Sequence, residues 1–139
     1  MSQTVEIPDL DALVLAALRA SDLGVPASVL MPQGDAEHVP RVIARQVSGG
    51  SGTRLGTVVG IVDLQALDTT RAGASSLARR AVAALMDAAR AQFSHGGAHL
   101  GTATLAAGGP TEIRTGDPAP DPSLFRFQTT LRVTARTTL

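Results

Sequence analysis

Two histidines in the chain have a spacing known from zinc sites. His95 and His99 are four residues apart, and such a pair ligates zinc when the segment is helical. Gly96 and Gly97 lie between them and disfavour a helix, and no third ligand such as a glutamate completes the motif. We therefore predict no metal site here and interpret the segment as a loop at the end of a helix.

Other patterns associated with nucleotide binding or catalysis are incomplete. The glycine-rich run at 49–54 lacks the Lys-Ser/Thr ending of a phosphate loop, and strand-like residues follow it where a helix N-terminus is needed. No serine stands in a Gly-x-Ser-x-Gly elbow, so a Ser-His-Asp triad is unsupported. Asp9 and Asp11 precede a helix and fit first-turn charges better than paired catalytic acids. The sequence predicts no catalytic or cofactor-binding residues and favours a role other than an enzyme.

A regular polar pattern occurs near the C-terminus. Residues 125–136 alternate mostly apolar and polar side chains, which is typical of a strand with one buried and one exposed face. The polar positions include Arg126, Gln128, Arg132 and Arg136. Solvation of an open sheet accounts for such a face, and so does a surface that contacts another subunit or a nucleic acid. The sequence leaves both interpretations open.

Four more residues are candidates for interaction. Asp63 and Gln65 are polar interruptions of the apolar segment 56–67, which we expect to be a central strand. Ser51 and Arg54 lie in or beside the flexible Ser/Gly-rich loop at 48–53, and flexible segments can become ordered when they dock on a partner. Together with the polar face of 125–136, these are the interaction residues that the sequence predicts.

Composition limits the classes of function. The 139 residues fit one domain spanning 1–139, and an aromatic content of 2% disfavours a base-stacking platform for single-stranded nucleic acid. Twelve arginines balance twelve carboxylates, which disfavours tight, sequence-independent DNA binding by a monomer but leaves local basic patches open. No cysteine is present to form disulfides or ligate zinc. The first residues match neither a signal peptide nor a membrane span, so we expect a protein that acts in the cytoplasm without membrane contact.

Periodicity predicts an α+β fold. A short amphipathic helix covers 9–20, and a long helix with a wide leucine- and alanine-rich stripe runs from 71 to about 92, capped by Asp68 or Thr69. The predicted strands are 25–30 at an edge, 41–47, 56–67, 100–106, 112–115 and 125–136. We expect a mostly antiparallel sheet of four to five strands packed against the long helix and the short N-terminal helix.

Several short motifs follow one another in a characteristic order along most of the chain. They are Ile7-Pro8-Asp9-Leu10 through Ala17-Leu18, Val25-Pro26, Pro40-Arg41-Val42, the strand with Asp63, Thr70-Arg71-Ala72, and Asp121-Pro122-Ser123-Leu124-Phe125-Arg126-Phe127. Their order resembles the tail terminator (tail completion) proteins of siphophages, especially those that infect actinobacteria. The resemblance implies a structural virion protein of the bacteriophage tail, with no cofactor and no catalytic role.

The resemblance also implies partners and a location. Members of that family form a ring, commonly of six copies, that caps the finished tail tube, stops its polymerisation and joins the head connector or stopper protein. The implied partners are therefore other copies of the chain, the major tail tube protein and the head-tail connector, with genomic DNA passing through the lumen without specific binding. Assembly takes place in the host cytoplasm and the final location is the head-tail junction. The polar faces of 61–67 and 125–136 are expected at ring contacts or toward the DNA channel.

Two alternatives stay open at this point. The first is another virion component, such as a head closure, connector or minor tail protein, which needs similar ring surfaces. The second is a small α+β enzyme or ligand-binding domain with a pocket between the long helix and the sheet.

Overall fold

The computed structural model describes residues 6–31, 38–49, 56–113 and 124–138. Within these ranges the chain forms α1 (Leu10–Ala20), β1 (Ala27–Ser28), β2 (Arg41–Gly49), β3 (Thr57–Asp68), α2 (Arg71–Arg90), β4 (Ser94–His95), β5 (Ala98–Leu105), β6 (Thr111–Glu112) and β7 (Phe125–Thr137). The strand order is β1-β2-β3-β7-β5-β4, and β6 pairs with β7 beyond the end of β5. The predicted α+β class, with a long helix and a short N-terminal helix, is confirmed.

The sheet is mostly antiparallel, as predicted, and only the β1–β2 pair among the described strands is parallel. It contains seven strands among the described residues, where the sequence predicts four to five. Strands β1 and β6 overlap the predicted segments 25–30 and 112–115, and only β4 lies where no strand was predicted. All three are two residues long, and β4 is too short to show a periodicity. The three longest strands, β2, β3 and β7, are adjacent in the sheet and form its centre.

Helix α1 begins where the sequence predicts. Asp9 is its N-cap, and its carboxylate accepts a hydrogen bond of 3.1 Å from the backbone N–H of Ala12. The apolar stripe that includes Leu10, Leu13 and Leu18 is buried against the sheet and α2. Gly60 permits this close approach, because a Cβ there would lie 2.8 Å from Cδ2 of Leu10.

The cap predicted for α2 is wrong by one or two residues. Thr70, not Asp68 or Thr69, is the N-cap, and its hydroxyl accepts a 3.0 Å hydrogen bond from the N–H of Gly73. The carboxylate of Asp68 instead accepts a bond of 2.6 Å from the N–H of the next residue, Thr69. The helix also ends at Arg90, before the predicted end near 92, because Gln92 has a φ of 53° that no helix continues.

The segment between the two histidines is the turn of a hairpin and does not simply end the helix. Gly96 and Gly97 occupy the turn between β4 and β5 with φ of 60° and 79°, a backbone conformation that favours glycine. His95 pairs with the buried Ala98, whereas His99 pairs with the exposed Arg136. Since directly opposed residues share a face, the two histidines lie on opposite faces of the sheet.

The core fills the space between one face of the sheet and the two helices. We call this side the inner face. Its largest fully buried side chains are Leu10, Leu13, Leu18, Leu64, Leu77, Leu85, Leu100 and Leu131. The alanine-rich stripe of α2 lets this helix lie close to β3, β5 and β7. Both helices cover the inner face, so the opposite face, which we call the outer face, has no helix over it among the described residues.

Candidate interaction surface

The alternation predicted for the last strand is present in β7. From Phe127 to Ala135 every odd-numbered residue is buried on the inner face, and every even-numbered residue is half-buried or exposed on the outer face. Arg132 and Arg136 are the exposed members of the outer set, and Arg126 is half-buried. Because β7 pairs with β3 on one side and with β5 and β6 on the other, these arginines lie on a central strand of the sheet.

The register of the sheet extends the outer face across β2. Arg41 lies opposite Leu67, which lies opposite Arg126, and Arg45 lies opposite Asp63. The outer face therefore carries five arginines of the described chain, which are Arg41, Arg45, Arg126, Arg132 and Arg136. The sequence analysis did not select Arg41 or Arg45, because the three apolar residues between them show no period-2 alternation that would assign the two arginines to one face.

Four of these arginines have no partner among the residues that the structure describes. Within the described ranges, the side chains of Arg45, Arg126, Arg132 and Arg136 make no hydrogen bond and no ion pair. Arg41 differs, because it donates to the carbonyl of His38 at 3.1 Å and to the hydroxyl of Ser28 at 3.1 Å, where it ties β1 to β2. Three of these four side chains, Arg45, Arg132 and Arg136, are exposed on one side of the sheet, and Arg126 is half-buried.

The predicted residues Asp63, Gln65 and Gln128 come together on the same face. Gln65 and Gln128 are directly opposed on β3 and β7. Oδ2 of Asp63 accepts a 2.8 Å hydrogen bond from Nε2 of Gln65, and Oδ1 accepts one from Nε2 of Gln128. Asp63 is only 7% exposed, so both of its oxygens are satisfied within the sheet. This cluster has a structural role, which the sequence could not show because it depends on the strand register.

A small apolar patch lies beside the cluster. Ile43 and Leu67 are buried, at 8% and 1% exposure, but they do not belong to the main core. Both lie on the outer face, next to Gln65 in the register. At this end of the β2–β3–β7 ladder, the two apolar side chains are flanked by Arg41 and Arg126, which lie opposite Leu67 on either side.

The spacing of the arginines limits what they can bind. Along β7, Arg126 and Arg132 are separated by about 20 Å and Arg132 and Arg136 by about 14 Å, from the rise per residue of a strand. Arg45 is two strands away from β7, about 10 Å across the sheet. The arginines of β7 are thus spread along the strand, and this spacing suits an extended, repeatedly charged partner better than a small anion.

The two edges of the sheet differ. On the β2 edge, the N–H of Val42 donates to Pro26 at 3.0 Å, and the N–H of Gln46 donates to the carboxylate of Asp11 at 2.6 Å. Helix α1 thus closes this edge with a side chain, a known means of blocking strand addition. On the other edge, β4 pairs only with the start of β5, and residues 101–105 have no strand beyond them among the described residues.

The remaining candidates of the sequence analysis do not gain a site. Ser51 and Arg54 lie outside the described residues. Within the described ranges, no three histidine or carboxylate side chains group closely enough to hold a metal ion. In the same ranges, no helix is long and apolar enough to cross a membrane.

The pocket expected by the ligand-binding alternative is occupied by the core. Leu77 and Leu85 of α2 and Leu131 of β7 fill the space between the helix and the sheet. A groove of about 500 Å³ lies elsewhere, between α1 and α2, and its floor consists mainly of alanines. A second hollow, of about 470 Å³, lies between the start of α1 and the β4–β5 turn. The groove contains no histidine. The second hollow contains His95 together with Glu6, Asp9 and Thr138, but no hydrogen bond among the described residues joins the His95 side chain to any of them.

Comparison with known proteins gives a likeness in fold. No family model and no curated protein matches the chain. A solved structure that does match is a chain in the virion of a native gene transfer agent (GTA) particle. The two chains are 17% identical, the likeness covers 91% of this chain and 94% of that chain, and the TM-score is 0.63. At this identity the likeness establishes a shared fold over nearly the whole length of both chains.

Proposed function

We propose that the chain is a structural protein of a phage-type virion. The observation that carries the proposal is the likeness in fold, over 91% of the chain, to a component of a gene transfer agent virion. The order of sequence motifs supports the same class independently, since it resembles a family of phage tail proteins. An open sheet face and a core without a catalytic constellation are also what an assembly protein needs.

Within that class we propose the role of tail terminator. Copies of the chain form a closed ring, commonly of six, on the end of the finished tail tube, and the ring stops tube polymerisation and presents a surface to the head connector or stopper. In this proposal residues 1–139 form one domain, the protein resides at the head-tail junction, and DNA passes through the lumen. Identical copies form such a ring when each contacts the next through two different surfaces and the rotation between neighbours returns to the first copy.

A test of this role is the length of tail tubes. The purified chain is added to polymerising major tail tube protein of the same virion, and tube lengths are measured by electron microscopy. A terminator shortens the length distribution at amounts that match the number of tube ends, and rings are seen on those ends. Unchanged tube lengths at saturating protein contradict the role.

A head closure or connector protein is the second candidate, because the likeness in fold concerns a virion particle and names no component of it. Binding of the purified chain to DNA-filled heads and to tube ends separates the two candidates. A connector component binds DNA-filled heads and leaves tube growth unaffected, whereas a terminator binds tube ends first. The position of the gene provides a second discriminator, since a terminator gene is expected just before the gene of the major tail protein.

A further inference from the structure

We infer that the outer face of the sheet contacts the phosphate backbone of double-stranded DNA, without reading its sequence. The inference deepens the proposed function and rests on it for the source of the DNA, which is the genome that passes through the ring. It names the partner of the arginines at positions 45, 126, 132 and 136, whose role the proposed function leaves open.

Charge is segregated in this neutral chain. The outer face holds five arginines of the described residues, and Asp63 is the one carboxylate among the outer-face residues of β2, β3 and β7. That carboxylate is 7% exposed, and its oxygens accept hydrogen bonds from two glutamine amides. Among the outer-face residues of these three strands, no exposed carboxylate neutralises the arginines, although the whole chain has a formal net charge of zero.

The other described carboxylates do not form a matching acidic surface for a second copy. Most of them already have a partner within the chain. Asp9, Asp11 and Asp68 accept hydrogen bonds from the backbone N–H groups of Ala12, Gln46 and Thr69. Asp87 forms an ion pair with Arg90, and Glu112 forms one with Arg71. No three of the described carboxylates lie close together, so this part of the chain offers no concentrated acidic patch to the arginines of a second copy. A partner that brings its own negative charge fits the face better.

The composition of the face also favours DNA over a permanent subunit contact. Beside the arginines lie five threonines, whose hydroxyls can donate to phosphate oxygens, together with the half-buried Val59 and Ile61. The threonines are Thr57, Thr102, Thr104, Thr130 and Thr134. Interfaces with DNA are more polar and much more positively charged than interfaces between proteins. Permanent subunit contacts are the more apolar class of interfaces between proteins. The arginines spread over about 34 Å along β7, which needs a partner that repeats its charge over a similar length.

Each copy contributes few phosphate contacts, and a ring multiplies them. Three or four arginines give weak binding by themselves, but a closed ring presents the same face once per copy to one DNA molecule. The binding is electrostatic and does not select a sequence, so DNA that moves through the ring meets no specific site.

The test compares two triple variants with equal loss of charge. R126Q/R132Q/R136Q removes three arginines from the outer face, and R79Q/R80Q/R90Q removes three exposed arginines from α2. Binding of a fluorescent mixed-sequence duplex is measured by anisotropy between about 50 and 200 mM salt, and the logarithm of the binding constant is plotted against that of the salt concentration. The same samples are weighed by light scattering.

The expected result is a difference in slope. The wild type and the α2 variant share one salt slope, and the slope of the outer-face variant is smaller by about one unit per arginine. Raising the salt from about 50 to about 200 mM lowers the affinity of both proteins. The factor by which the affinity of one copy falls is about 40 times smaller in the outer-face variant than in the wild type, because the variant has lost three phosphate contacts. Because R132Q and R136Q change exposed side chains, each single variant should keep the wild-type melting temperature and lower the slope by about one unit.

Four outcomes overturn the inference. The first is that the wild type does not bind the duplex, and the second is that the two triple variants have equal salt slopes. The third is that polyglutamate competes as strongly as DNA of equal charge. The fourth is that the outer-face variant alone loses the ring. Polyglutamate competition indicates an acidic protein as the partner, and loss of the ring indicates a subunit contact. A ring that does not bind DNA defeats this inference and leaves the proposed function standing. DNA binding by a protein that does not change tube lengths defeats the proposed function alone.

Discussion

Leu131 and Arg132 are neighbours on β7, but they belong to two different surfaces. Leu131 is fully buried on the inner face, against the side chains of α2, and Arg132 is exposed on the outer face, with no partner in the described chain. Among the described residues, both helices pack on the inner face and no helix covers the outer face. In our account, the inner face of β7 contributes most to stability, and the exposed arginines of its outer face contribute to function.

The largest expected effect comes from breaking the inner face. Leu131→Ala leaves a cavity beneath α2 and should lower the free energy of unfolding by about 2–5 kcal/mol. Arg132→Ala, one residue away, is the matched control and should change it by less than about 0.5 kcal/mol. Denaturant titration followed by circular dichroism measures both. Similar losses in the two variants would mean that the faces do not differ as described.

A smaller effect is expected at the buried acid of the outer face. Asp63→Ala leaves Nε2 of Gln65 and of Gln128 without their acceptor and should cost about 1–3 kcal/mol. Gln65→Ala removes one donor and leaves Asp63 with the other, so it should cost less. Thermal melting of the two variants and the wild type gives the order. A fully stable Asp63→Ala protein would refute a structural role for this cluster.

The closed edge of the sheet gives the third prediction. Asp11→Ala removes the carboxylate that accepts from the N–H of Gln46, a charge-assisted bond worth about 1.5 kcal/mol in this half-exposed position. The freed N–H of β2 should also exchange its hydrogen faster. Asp22→Ala is the control, because Asp22 is exposed and makes no bond with the described residues. Hydrogen exchange at Gln46 that stays as slow as in the wild type would contradict the role given to Asp11.

The smallest effect is expected at the start of α2. Thr70→Ala removes the hydroxyl that accepts from Gly73 and should cost about 1 kcal/mol, the usual value for an N-cap. Thr69→Ala should cost less, because Thr69 precedes the cap. Chemical denaturation distinguishes the two variants. An equal or larger loss in Thr69→Ala would restore the cap predicted from the sequence.

Local patterns in the sequence predicted much of this fold. The period-2 alternation of 125–136 identified β7 and its two faces, and the helical stripes identified α1 and α2, because these elements are long and each has one buried side. The two-residue strand β4 was beyond reach, since it exists only through its pairing with β5.

The candidate site was predicted in part. Arg126, Arg132 and Arg136 followed from the alternation within one strand. The link between Asp63 and Gln128 spans 65 positions and depends on the β3–β7 register, which no local pattern encodes. The contribution of β2 was missed for the same reason, because Arg45 joins the outer face only through its pairing with β3.

The most direct test of the central claim is the mass of the purified protein in solution, measured by light scattering with negative-stain images of the same sample, with and without tail tube ends. A ring-forming virion protein gives a single discrete mass of several copies of the 14.2 kDa chain and closed particles with a central hole, free or on the tube ends. A monomer at every concentration that also leaves the tube ends bare would contradict the account.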